Sequence, residues 1–93
     1  MIVGVMEVTF WIPEAQSLKD KRSITQSVIR RARNQANAAV AEVDGQDLWQ
    51  RCTVAAAVIG TNEGHAKHQL HVVLKIIERE PRLEVTDVDY SYC

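Results

Sequence analysis

The run Cys52-Thr53-Val54-Ala55-Ala56-Ala57-Val58-Ile59 constrains this chain most. It is apolar at odd and even positions alike, so as a strand it is apolar on both faces and belongs in the middle of a sheet. Ninety-three residues provide one domain in which to build that sheet. The elements around the run are therefore read as its neighbours. Met1 to Ile12 is a second, nearly continuous apolar strand, with Glu7 and Thr9 alternating near its end and Pro13 stopping it. Gly4 inside it marks a close backbone approach.

Between these strands the period changes. Ile24, Val28, Ala32 and Ala36 step by four, with Ile29 beside them, which predicts an amphipathic helix over residues 17–36. Ser17 is its N-cap, and Asp20 stands where it meets the first-turn amides. Ala38 to Val43 reads as a short strand, and Asp44-Gly45 as a turn leading to the strand from Arg51 to Ile59. The short connection makes those two antiparallel neighbours. After Gly60, Thr61 and Asn62 are both possible caps for a second helix with apolar face Ala66, Leu70, Val73, Leu74 and Ile77, ended by Pro81. Arg82 to Tyr92 is a strand of mixed polarity that suits an edge.

The order strand, helix, strand, strand, helix, strand is the split βαβ arrangement of α+β ferredoxin-like domains. It predicts a single domain over residues 1–93, with two helices on one face of a four-stranded antiparallel sheet. The other face then lies open. Two strands apolar on both sides make that face one that a ligand or second subunit would cover, so a homo-oligomer is expected.

The net charge of −1 conceals a lopsided distribution. Six of the eleven basic residues fall between Lys19 and Arg33, against one acidic residue there. Five of the twelve acidic residues fall between Glu78 and Asp89. Lys19, Lys21, Arg22, Arg30, Arg31 and Arg33 are candidate phosphate contacts. The alternative for them is a solvated helix face. Gln46, Asp47, Trp49 and Arg51 are candidate nucleic-acid contacts, with Trp49 stacking on a base. The alternative there is structural, with Trp49 capping the core and Asp47 paired with Arg51. The aromatic residues that a sheet-platform RNA module places on its central strands are missing, so RNA would have to be met by helix and hairpin.

The chemistry of catalysis is hard to find in the sequence. It holds no glycine-rich phosphate loop, nucleophile elbow or recognisable Cys–His pairing, and neither a catalytic residue nor a cofactor is expected. A weak enzymatic reading would place Glu42, Asp47 and Arg51 in a cleft. His65, His68 and His71 are three apart, a spacing that drifts around a helix and does not converge on a metal. Cys52 is expected to be buried, and the terminal Cys93 exposed. The first apolar run lacks a basic leader and is broken by Glu7, and no segment has the length to span a bilayer, so a cytoplasmic location is expected.

Two motifs carry a family resemblance. Ser17-Leu18-Lys19-Asp20-Lys21-Arg22 resembles a helix start of the form S-L-K-[DE]-K-R. Ala41-Glu42-Val43 followed by Gln46-Asp47-Leu48-Trp49-Gln50-Arg51 resembles a hairpin of the form A-E-V…Q-D-L-W-Q-R. Both belong to YlxP-like bacterial proteins, a small family of unknown function, and the resemblance covers essentially the whole chain. It implies a ferredoxin-like fold and a bacterial cytosolic setting. Genes of this family commonly lie beside those for ribosome-binding factor A and a translation initiation factor, which implies ribosome biogenesis or RNA binding. It implies no catalytic residues. The alanines at Ala36, Ala38 and Ala39 and at Ala55 to Ala57 stand where bulkier side chains are expected.

Overall fold

A computed structural model describes residues 1–45 and 50–93 of the chain. The elements are β1 (Ile2–Trp11), α1 (Leu18–Gln35), β2 (Ala39–Asp44), β3 (Arg51–Gly60), α2 (Glu63–Glu78) and β4 (Glu84–Tyr92). The strands pair antiparallel in the order β2-β3-β1-β4. This is the ferredoxin-like α+β arrangement. The two apolar runs, β1 and β3, lie at the centre, and mixed-polarity β4 is an edge.

Alternation sorts the strand residues between two faces. Met6, Val8 and Phe10 of β1 pair with Ala56, Val54 and Cys52 of β3, and all six are buried. They face the helices, which contribute Ile24, Val28, Leu70, Val73 and Ile77 to the same core. α2 packs on β1 and β3, and α1 on β2 and α2.

The close seating of α2 depends on glycine. A Cβ at Gly60 would stand 2.7 Å from the backbone nitrogen of Ala66, and one at Gly4 3.1 Å from the Ala66 methyl. Gly4 is thus the close approach that its place in an apolar strand suggests, made to a helix.

Helix ends follow their capping residues. The Ser17 hydroxyl accepts from the Asp20 amide at 3.1 Å, and the Asp20 carboxylate accepts from the Gln16 amide at 3.2 Å. For α2, Asn62 is the cap, its side-chain oxygen accepting from the His65 amide at 2.9 Å. α2 ends at Glu78, three residues before Pro81.

The open face is less uniform than two doubly apolar strands suggest. Its β3 side is small and apolar, with Ala55, Ala57 and a 63% exposed Ile59 beside Val3 and Val5. Its β4 side is acidic: Glu7 pairs with Asp89, Thr9 with Asp87 and Trp11 with Glu84. Like charges directly opposite are unfavourable in a sheet, so Glu7 and Asp89 are held together at a cost. Where the sequence puts alanine, the surface is hollow. Arg33, Ala38, Ala39, Ala41, Ala55 and Ala57 border a shallow depression of about 510 Å³ beside β2.

Candidate functional site

The two sequence motifs meet in space, at the end of the sheet where the β2–β3 hairpin passes the start of α1. Val40 and Glu42 share the helix-side face of β2, because they are two residues apart. Val40 is in the core, and Glu42 reaches the rim. There its Oε2 accepts from the Lys21 ammonium, which also donates to the Gly45 carbonyl at 2.9 Å. The Cys52 thiol donates to the same Glu42 oxygen at 3.1 Å. Burial, and next the hydrogen bond to Glu42, push the Cys52 thiol up to about 12, so it is a neutral thiol at ordinary pH.

Lys21 is therefore no phosphate contact. Its side chain is wholly buried, with its charge used internally. The signal was present: Lys21 precedes Ile24, Thr25 and Val28 by three, four and seven residues, the spacing of the buried stripe. An ammonium at such a position must find an anion, and Glu42 is the one supplied.

Gln50 is also structural. Its backbone carbonyl accepts from the Ile12 amide at 2.7 Å, and its side-chain amide lies 3.4 Å from the carbonyls of both Pro13 and Ala15. It ties β3 to the loop that delivers the chain into α1. Gln46, Asp47 and Trp49, including the Asp47–Arg51 pairing and the capping by Trp49, lie outside the described residues. Gly45, bonded to Lys21, has a φ of 81° and opens that segment beside the first turn of α1.

The remaining cations separate into three groups. Arg31 turns toward the α2–β4 connection and donates to Glu80 at 2.6 Å. Arg82 shares that carboxylate at 2.8 Å. Hydrogen bonds from Arg82, opposed by burial and reinforced by Arg31, hold the Glu80 carboxyl down at about 2.

Lys19, Arg22, Arg30 and Arg33 form the second group. At 100° per residue they fall within one 80° sector, with Gln26 between them and Ser23 just beyond Arg30, and all six are exposed. The sector adjoins the buried stripe at Ile29, turns away from it toward solvent, and contains no carboxylate. Arg33 also donates through Nε to the Val40 carbonyl at 2.9 Å, which covers part of the β2 edge.

Arg51 stands alone. It pairs with Trp11 on the open sheet face, so the sheet and helix layers lie between it and the α1 cations.

His65 is occupied at the start of α2, where its Nδ1 accepts from the Thr61 amide at 3.0 Å. No group of three or more His, Cys, Asp or Glu side chains among the described residues is placed to hold a metal ion. No helix among them is long and apolar enough to cross a membrane.

The sequence pattern of the DUF503 family, described as a protein of unknown function, matches residues 3–90. The chain belongs to this family. It is similar to the uncharacterized protein YlxP of Bacillus subtilis (strain 168), with 31% identity over 85 residues, covering 91% of this chain and 92% of that protein. Within this DUF503 chain, the two motifs that carry the resemblance become one contact. The helix-start motif contributes Ser17 and Lys21, and the hairpin motif contributes Glu42 and Gln50. The motifs thus include the joint that fixes hairpin, loop and helix to one another.

Proposed function

We propose that this protein is a non-enzymatic, cytoplasmic, single-domain RNA-binding protein that acts on the ribosome or its assembly. One observation carries the reading: the stripe of Lys19, Arg22, Arg30 and Arg33 along the solvent face of α1, without an acidic residue in its sector. From Lys19 to Arg33 it runs about 21 Å at 1.5 Å per residue, long enough to follow several phosphates of one strand. The Lys21–Glu42 joint supports the reading by tying Gly45, the last described residue of the hairpin before residue 50, to the first turn of the helix that carries the stripe. Gln46, Asp47 and Trp49 supply selectivity and stacking. Arg51 acts separately from it, from the opposite face.

The test is a salt titration of binding to structured and single-stranded RNA. Four phosphate contacts give a log–log slope of roughly −3 to −4. Arg22→Glu with Arg30→Glu removes about half of it. An affinity indifferent to salt, or unaffected by those substitutions, overturns the reading.

A second reading is self-association through the open sheet face. It is favoured by the apolar side formed by Val3, Val5, Ala55, Ala57 and the 63% exposed Ile59. Sedimentation at high concentration tests it. A dimer that Ile59→Lys disperses supports it, and a strict monomer eliminates it.

A further inference from the structure

α2 lies over β1 and β3, which leaves the helix-side face of edge strand β4 partly uncovered. Val88, Tyr90 and Tyr92 occupy that face, since their partners Val8, Met6 and Gly4 all face the helices. Tyr90 is 39% exposed. Across from it the flank of α2 presents Gly64, Lys67, His68 and His71, and these five residues line a cleft of about 300 Å³.

The two walls differ chemically. On one is an aromatic ring. The other has the Lys67 ammonium and two imidazoles, and it begins at the first turn of a helix, where the positive dipole end is shared with the Glu63 carboxylate. No carboxylate is among the five lining residues. Glu78 also lies close enough to affect Tyr90, but sits about two turns along α2 beyond His71. With Glu63 at one end and Glu78 at the other, the anion-favouring part of the cleft is the stretch between them, from Lys67 to His71. Gly64 is uncrowded, for a Cβ there would meet only the Asn62 side-chain oxygen, at 3.4 Å.

A ligand matching both walls has a flat ring and a negative group a few ångströms away. We propose that the α2–β4 cleft binds a nucleoside monophosphate unit, its base against Tyr90 and its phosphate on Lys67 and His71. The cleft is at the small end of the volume range of ligand sites, which suits one nucleotide. Tyr92 lies on the same face two residues along, about 7 Å from Tyr90, a spacing that receives a second base if the unit is the end of a strand. The site shares no residue with the α1 stripe and stands independently of it.

Amide and aromatic NMR spectra of the full chain, titrated with AMP, UMP, adenosine and inorganic phosphate, test the proposal. The monophosphates should shift the signals of Gly64, Lys67, His71 and Tyr90. Adenosine and phosphate alone should bind about tenfold more weakly, because each meets one wall. Tyr90→Ala and Lys67→Ala should each weaken AMP about tenfold, and both sites are exposed enough for the protein to fold. Trinucleotides with a 5′-phosphate or a 5′-hydroxyl form the other arm. Tighter binding of the phosphorylated trinucleotide than of AMP assigns the cleft to a strand end, and equal binding assigns it to a free nucleotide. Protein carrying Arg22→Glu and Arg30→Glu should keep the AMP shifts even where its affinity for longer RNA falls. No shifts at millimolar nucleotide, shifts confined to α1, or shifts unaltered in both cleft variants would overturn the proposal.

Discussion

Lys21 and Arg31 lie ten residues apart on one helix, and each ends on a glutamate, yet the two ion pairs are opposites. At the hairpin end the cation is buried, with Lys21 at 0% side-chain exposure and Glu42 at 15%. At the other end the anion is buried, with Glu80 at 4%, while Arg31 and Arg82 stay 36% and 40% exposed. An ammonium shut away from water has no alternative to its partners, whereas two half-exposed guanidiniums keep much of their hydration. The first pair should therefore be a structural joint whose members cannot be removed singly. The second should be a clamp that tolerates the loss of one arm.

Substituting Lys21 breaks this comparison most forcefully. Lys21→Ala strands Glu42 and the Gly45 carbonyl, and should cost about 3–5 kcal/mol in urea unfolding. Lys21→Met combined with Glu42→Leu removes both charges and should recover most of that. If the double variant is no better than the single, the joint is more than a charge pair.

Glu80→Gln should cost less, roughly 1–2 kcal/mol, because solvent screens both arginines. It should also alter the response to acid. The folded-state value of Glu80, about 2, lies below its ordinary 4.5. Its contribution is thus complete above pH 4.5 and lost as the pH falls through 2. The free energy of unfolding, measured from pH 5 to pH 2, should fall less steeply in Glu80→Gln than in the parent.

Arg31→Ala should lie within about 1 kcal/mol of the parent, since Arg82 keeps the carboxylate paired. A loss near that of Lys21→Ala would erase the distinction between joint and clamp.

Thiol chemistry gives the smallest and sharpest readout. At pH 8 a disulfide reagent should titrate Cys93 at once and leave Cys52 unreacted in the folded protein, because Cys52 is buried and neutral. Lys21→Ala should expose Cys52 to slow reaction, and Arg31→Ala should not.

Period and punctuation in the sequence make the element order legible. The apolar β1 and β3 can be placed centrally, Ser17 and Asn62 name the caps, and Gly4 signals a close neighbour. Boundaries move by a residue or two at the ends of β2 and β4, where pairing with a neighbour, not composition, ends a strand. The candidate site was less legible. Counting charges between Lys19 and Arg33 groups six cations, and the fold divides them. Lys21 goes inward, Arg31 goes to Glu80, and Lys19, Arg22, Arg30 and Arg33 remain in a stripe. Angular position around the helix separates Lys21 from that stripe in principle, since it shares the face of Ile24 and Val28. The partner of Arg31 lies 49 residues away, and no local pattern reveals it.

The cleft beside Tyr90 was missed for a related reason. A sheet-platform module carries its stacking aromatics on the central strands, whereas Tyr90 and Tyr92 sit on an edge strand facing the helices. Their availability depends on how far α2 covers the sheet, which is a matter of packing.

By itself, then, the sequence determined a ferredoxin-like order of elements, because hydrophobic period, caps and breakers act within a few residues. It also determined membership of a family through two short motifs. Only the tertiary structure decided that these motifs form one buried contact, which cations still face water, and that β4 keeps a partly open helix-side face. Those outcomes depend on groups distant in the chain meeting across the core, and on the price in desolvation that each charge would pay without its partner.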